Sequence, residues 1–413
     1  MEPIVEKGCG LDVGQESVVA CLMTGPAGEK PRKELRTFAT FTAELERMRD
    51  WLLAEGCTHV AMESTGPYWV PIYVVLEQAQ RFELVVGNAQ HIRNVPGRKT
   101  DVKDAEWLAD LLRHGLIRKS FVPPRPFREL RDLLRYRRAL VNAGSAERNR
   151  LLKLLESANI KLASVASDAF GASGMLMLKA LLQGGSSPEQ MAELAKGRLR
   201  QKLEPLKLAL RGNFDPHHCS MLETQMRRIE ATQRDLVGLD KLIDARLEPY
   251  RDKHDLLVQI PGVDWVTAAV LIAELGVDMN VFPTARHVAA WAGVCPGNNK
   301  TGGKAKRAAA RKGNVYLKTA LVQAAHAAAH TKGSYFKNKY FRLRARLGAK
   351  RAALAIGHKI LTAAYHMLAT GSAYAELGET YLDRRDKRGV ARSLIRRLHH
   401  LGYTVLITEE TTA

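Results

Sequence analysis

The sequence predicts an α/β N-terminal domain, a long helical middle region and a mainly α, basic C-terminal domain. Three observations carry this. Short β-rich runs alternate with helical stretches before residue 125. From Pro126 onward the apolar spacing is helical almost throughout. No acidic residue lies between Asp278 and Glu376, an interval that holds 17 Lys and Arg.

Residues 7–13 alternate and then break at Gly14, which predicts a strand. Residues 17–23 and 35–39 are β-rich runs joined by short turns, so the first three strands read as an antiparallel meander. Residues 41–55 carry Leu45, Met48, Trp51 and Leu52 on one helical stripe. A fourth strand over 58–63, a helix over 70–78 and a fifth strand over 82–86 follow, and then a helix that includes Trp107–Leu112. The order β-β-β-α-β-α-β-α implies a mixed sheet with helices on its faces.

Four acids stand out on this scaffold. Asp12 is placed within the first strand, where an unpartnered carboxylate is costly. Glu63 ends the fourth strand, and strand carboxyl ends are where α/β sheets hold ligands. Asp101 and Asp104 open a helix three residues apart, on one face, among Arg98, Lys99 and Lys103. Two close acids repel unless something positive neutralises them. Divalent cations with oxygen ligands do this, and so do neighbouring Lys and Arg. Acids at a helix start are also favoured by the helix dipole. Taken together, the four carboxylates suffice for a two-cation site at a phosphodiester.

The middle region begins with an apolar stripe, Leu130, Leu133, Leu134 and Val141. Beside it runs a basic stripe, Arg128, Arg131, Arg135 and Arg138, which reads either as a solvated face or as one that tracks phosphates. Gly184–Pro188 marks a loop and a helix start. Asp215-Pro216 starts another helix, with an acid at the N-cap and Pro at the first helical position. That helix is expected to run to about residue 250. It is long enough for half of a coiled-coil arm, although Gln225, Thr232 and Arg246 interrupt its seam.

Further on, residues 256–276 form a helix-hairpin-helix-like segment around Pro261-Gly262, whose free amides would suit a phosphate. The acid-free interval that follows includes Lys300, Thr301, Lys304, Lys306, Arg307, Arg311 and Lys312. Ordinary surfaces mix charge signs, so this run points to nucleic-acid backbone contact. A hydroxyl beside Gly302-Gly303 is able to approach a phosphate closely. Residues 337–359 read as one basic helix. The tail reads as a helix through Leu398 and a strand-like run over 403–408.

Composition narrows the class. The 413 residues are 46% hydrophobic and 26% charged, ordinary for a globular protein, but the net charge is +20. That excess points to a polyanionic partner. No apolar run has the length of a membrane span and the start lacks a signal-peptide pattern, so a cytoplasmic protein is expected. Five cysteines form no C-x-x-C pair, which argues against a zinc knuckle or redox motif. In His217-His218-Cys219, adjacent side chains do not converge on one ion.

Gly10-Leu11-Asp12-Val13-Gly14, Ala61-Met62-Glu63-Ser64-Thr65-Gly66 and the stretch 97–112 resemble the DEDD transposases of insertion-sequence elements, in the family numbered one-hundred-ten. The segment 291–317 is similar to that family's second domain. The resemblance implies a RuvC-like, ribonuclease-H-like first domain in which Asp12, Glu63, Asp101 and Asp104 bind Mg2+. It implies a bacterial recombinase that cuts and exchanges double-stranded DNA at element ends and target, guided by a structured non-coding RNA and working as a homo-oligomer. In that family a serine before Gly-Gly-Lys attacks the phosphodiester. Here the position is Thr301, with an extra methyl group and a restricted χ1. Lys300, Lys304, Lys306, Arg307, Arg311 and Lys312 are expected on the nucleic acid, with Arg98, Lys99, Lys103 and the Arg128–Arg138 stripe. A RuvC-like junction-resolving nuclease that uses water, and a decayed non-catalytic relative, are the alternatives. The expected divisions are 1–125 (catalytic), 126–252 (helical, coiled-coil), 253–375 (basic C-terminal domain) and 376–413 (basic tail).

Overall fold

A computed structural model describes residues 3–26, 29–64, 66–93, 104–295, 300–301, 304–305 and 313–406. The chain forms two compact units, Met1–Val122 and Pro123–Ala413.

The first unit is built on five strands: β1 (Lys7–Val13), β2 (Ser17–Thr24), β3 (Arg32–Ala39), β4 (His59–Glu63) and β5 (Glu83–Gly87). Its helices are α1 (Thr42–Ala54), α2 (Trp69–Gln78), α3 (Ala89–Arg93) and α4 (Asp104–Arg113). The sheet order is β3-β2-β1-β4-β5. The first three strands form the antiparallel meander, and β1, β4 and β5 are parallel. The short α3 has no signal in the apolar spacing.

Side chains alternate across the sheet. Cys9, Leu11, Val18, Ala20, Leu22, Val60, Met62, Leu84 and Val86 share one core with the buried faces of α1 and α2. On the opposite face Cys21 and Met23 meet Ala105 and Ala109 of α4, and Ala61 and Val85 meet Leu112. Burying one fully enclosed aliphatic side chain contributes about 1.5–3 kcal/mol, so these two layers fix where α4 lies. The buried Arg113 ends that helix, donating from Nε to the Val5 carbonyl at 3.2 Å and from Nη2 to the Gly25 carbonyl at 2.9 Å.

The second unit is helical. α5 (Arg125–Ser157) is followed by α6 (Leu162–Val165), α7 (Ala172–Gln183), α8 (Pro188–Glu193), α9 (Leu203–Leu210) and α10 (Pro216–Leu247). Ser187 starts α8 with a capping box to Gln190, and Asp215 caps α10 by accepting from the His218 amide at 2.9 Å. α5 and α10 pack along their lengths as an antiparallel pair. Glu129 pairs with Arg246, Arg137 Nη2 donates to Asp240 at 3.1 Å, and Glu147 lies 3.8 Å from Arg228. At about 1.5 Å per residue the pair is about 48 Å long. Two of the three interruptions in the α10 seam have partners here, Thr232 resting against Gly144 and Arg246 reaching Glu129, while Gln225 is buried. α6–α9 form their own core against the ends of this pair.

The remainder comprises α11 (Arg251–Val258), α12 (Trp265–Leu275), α13 (Ala285–Trp291), a two-stranded ribbon of β6 (Lys300–Thr301) and β7 (Lys304–Ala305), α14 (Val315–Ala328), α15 (Tyr335–Leu347), α16 (Ala349–Thr370), α17 (Tyr381–Arg385) and α18 (Lys387–His400). The basic helix expected over 337–359 is two helices, because Gly348 turns the chain at φ +80°. Residues 403–406 are not a strand, and 407–408 lie outside the described residues. Among the described residues no helix is long and apolar enough to cross a membrane.

Candidate active site

Asp12 and Glu63 follow directly on the paired residues Leu11 and Met62 of two adjacent parallel strands. They therefore stand side by side at the strands' carboxyl ends. Asp12 is the penultimate residue of β1 and is exposed, not mid-strand as the sequence suggested, so it carries no large burial cost. Glu63 is half-buried. By alternation Asp12 shares a face with Gly10, and Glu63 shares that face with Ala61. It is the face that α4 covers.

Gly10 explains how close α4 comes. A Cβ at this position would stand 2.3 Å from both the Ala105 carbonyl oxygen and the Ala109 nitrogen. Only a glycine admits a helix backbone this near the strand. The crossing sets the first residue of α4, the half-buried Asp104, on the carboxylate-bearing face of the sheet. Glu106, next along, pairs with Lys33 at 3.0 Å.

These are hard oxygen donors of the kind that magnesium and calcium take. Among the described residues, no three Asp, Glu, His or Cys side chains are grouped closely enough to hold an ion. The unit thus brings three of the four predicted ligands to one face without closing a ligand shell. The fourth, Asp101, lies outside the described residues, as do Arg98, Lys99 and Lys103. His218 is engaged with Asp215 at 2.7 Å, and Cys219 with the Leu182 carbonyl.

In the second unit Lys300–Thr301 pairs antiparallel with Lys304–Ala305, so Thr301 ends the first strand of a tight hairpin. Lys306, Arg307, Arg311 and Lys312 lie outside the described residues. Ser334 is buried and caps α15, accepting from the Lys337 amide at 3.2 Å, which leaves it a structural task.

The Arg128–Arg138 stripe does not form one solvent face. Arg131 donates to the Ala273 carbonyl at 2.9 Å and lies 3.0 Å from the Glu274 carboxylate. Burial pulls its guanidinium down to about 10, against the opposing pull of Glu274. Arg135 grips Glu274 with both nitrogens at 3.0–3.1 Å. Glu274 is 2% exposed, and an unpaired carboxylate there would be strongly disfavoured. For these two arginines the reading as phosphate contacts gives way to an internal ion pair. Arg128 donates to the Pro123 carbonyl at 3.0 Å, and Arg138 lies over the Tyr316 ring at 5.3 Å. Arg138 borders a cleft of about 700 Å³ among α5, α12 and α14. The sequence reading passed over Glu274, although an acid inside the otherwise apolar run 265–275 was a signal.

The helix-hairpin-helix-like segment is present as α11, a turn and α12, and two of its amides are engaged within the chain. Asp264 caps α12 by accepting from the Thr267 amide at 2.8 Å, and the Val263 amide donates to the Ile260 carbonyl. A Cβ on Gly262 would stand 2.3 Å from the Ala324 carbonyl oxygen, so this glycine admits α14 and not a phosphate.

Residues 9–160 match a transposase family model, the DEDD transposases of IS110 type. Residues 254–341 match the transposase IS116/IS110/IS902 family. A probable family 20 transposase of Pseudomonas aeruginosa is 26% identical over 236 residues, 56% of this chain and 60% of that protein. An uncharacterized protein of insertion element IS110 from Streptomyces coelicolor is 26% identical over 397 residues, 88% of this chain and 94% of that protein. The two matched segments together cover more than half of the sequence. The chain belongs to the IS116/IS110/IS902 family of transposases.

Proposed function

We propose that this protein cuts and rejoins double-stranded DNA at the ends of its own insertion element, in the cytoplasm of a bacterium. The observation that carries the reading is the pairing of Asp12 and Glu63 at the ends of β1 and β4, with α4 bringing Asp104 to the same face. The strand order supports a RuvC-like, ribonuclease-H-like first unit. Asp12, Glu63, Asp101 and Asp104 would hold magnesium, which supplies Lewis-acid neutralisation of a phosphodiester when bound. Thr301 supplies the nucleophile: Oγ1 gives up its proton and bonds to phosphorus, while the bond to the departing deoxyribose oxygen breaks and that oxygen takes up a proton. Lys300, Lys304, Lys306, Arg307, Arg311 and Lys312 hold the phosphates around it. The family resemblance extends this to a structured non-coding RNA as guide, with pairing supplying sequence choice, and to a homo-oligomer that acts on both strands. The divisions after residues 125, 252 and 375 serve as working domain limits.

The test uses DNA carrying the element ends, RNA transcribed from the element and magnesium. The full chain is expected to give a denaturation-stable protein–DNA adduct that Thr301→Ala abolishes. Threonine in place of serine favours one second reading, a nuclease that uses water at the carboxylates. That reading gains if Asp12→Ala stops cleavage while Thr301→Ala leaves it intact without an adduct.

A further inference from the structure

We propose that Glu274 is a positioning residue for the hairpin that bears Thr301, acting through Asn314; this rests on the reading of Thr301 as nucleophile.

The chain leaves the helical body after α13 and returns at α14, and the two ends of this excursion touch. A Cβ on Gly313 would stand 2.4 Å from the Gly293 nitrogen and 2.7 Å from the Ala292 carbonyl carbon. The Asn314 amide donates to the Trp291 carbonyl at 3.4 Å. The points where the chain leaves α13 and enters α14, on either side of the β6–β7 hairpin in sequence, are thus in contact.

Asn314 fixes that contact in two directions. Its Oδ1 accepts from the Leu317 amide at 3.0 Å, capping α14. Its Nδ2 donates to Glu274 Oε2 at 2.6 Å. Glu274 is held in turn by Arg135 through both nitrogens and by Arg131, which also reaches the last carbonyls of α12. The carboxylate therefore ties three elements together, α5, α12 and the start of α14.

Stability alone is a poor reason for this arrangement. Replacing a buried ion pair by apolar side chains of similar volume is often neutral or stabilising. An apolar residue at 274 would fill the space but would not hold the Asn314 amide in one orientation. What the acid adds is direction: it fixes Asn314, where the chain enters α14, against α5 and α12. Displacing a reacting group by about 1 Å costs about a hundredfold in rate, so a clamp at Asn314 bears on the chemistry without touching the DNA.

Two variants separate positioning from folding. Asn314→Ser keeps a good N-cap for α14, but its hydroxyl is too short to reach Glu274. Glu274→Gln keeps the shape and loses the charge. Two readouts are taken on the full-length protein: amide hydrogen exchange of peptides spanning 294–312, with peptides of α10 as control, and adduct yield with element-end DNA and element RNA. In both variants, exchange in 294–312 is expected to rise while α10 stays as in the wild type. Adduct formation is expected to slow by about a hundredfold. Unchanged exchange in 294–312 for the variants that fold overturns the inference, as does an adduct rate equal to wild type. An adduct that persists in Thr301→Ala sinks the nucleophile assignment instead, and the exchange result still decides the clamp.

Discussion

Glu63 and Glu274 show two opposite uses of a carboxylate. Glu63, half-buried, ends a parallel strand beside the exposed Asp12, at the carboxyl end of two interior strands. Glu274 is 2% exposed and is met by Arg131, Arg135 and Asn314. The first arrangement suits a ligand that arrives with its own charge. The second is already neutralised and has no capacity left for one. A carboxylate's place in the fold, and not its residue type, thus separates the strand-end acid from the buried one here. Among the arginines, Arg131 and Arg135 serve the buried acid, and Arg135 also lies 4.4 Å over the Tyr316 ring that Arg138 meets at 5.3 Å, both at the edge of one cleft.

The most severe test of this contrast removes the exposed acids. Asp12→Ala and Glu63→Ala are each expected to cut magnesium-dependent cleavage of element-end DNA by about a thousandfold, the scale of losing a charge-stabilising group at a reacting phosphate. The melting temperature should change little, because Asp12 is exposed and Glu63 half-buried at strand ends, outside the core. A fall of many degrees with activity retained would reverse their role. The buried acid should do the opposite. Glu274→Ala leaves two guanidinium groups facing a cavity, and a loss of about 3–5 kcal/mol is expected in urea denaturation. A loss under about 1 kcal/mol would show that the ion pair is not the joint described here.

Gly10 lies between the two cases, since it is a packing residue that sets the site. Gly10→Ala forces its methyl group into the backbone of α4. A destabilisation of about 1–3 kcal/mol is expected, together with lost cleavage as Asp104 moves with the helix. Denaturation and cleavage assays on the same preparation check both halves. Full activity at reduced stability would detach Asp104 from the site.

Much of this was legible in the sequence, and the reasons are local. Alternation over residues 7–13 and β-rich runs after it gave the five strands, and the break at Gly14 gave the first turn. Asp215-Pro216 marked the start of α10 because capping chemistry is set within four residues. What was not legible depends on distant partners. The Arg128–Arg138 spacing looks the same whether it faces solvent or Glu274, 136–146 positions away in sequence. The Pro261-Gly262 turn reads as a phosphate cradle until α14 is seen to fill the space beside Gly262. Gly348 lies within a helical pattern, and its positive φ follows from how α15 and α16 pack, which no periodicity reports. For the candidate site, the strand end placed Glu63, whereas Asp12 read as mid-strand and the approach of α4 needed the contact at Gly10.

The smallest effect separates the two units by their thiols. Cys9, Cys21 and Cys57 are buried in the first unit, while Cys219 and Cys295 are half-buried in the second. Burial pushes the Cys57 thiol up to about 12 and the Cys21 thiol up to about 11, with Glu106 adding to the latter. A folded thiol with a raised pKa keeps its proton at a pH where the unfolded chain has lost it. Its contribution to stability is therefore complete below pH 9.0, the ordinary value, and is lost as pH rises toward about 12. At pH 8 a disulfide reagent should label Cys219 and Cys295 first, and the other three only as the first unit opens. Cys57→Ala should flatten the loss of stability above pH 9.0 while leaving labelling in the second unit unchanged. Equal labelling rates for all five thiols in the native protein would show that the sheet does not enclose its cysteines as described.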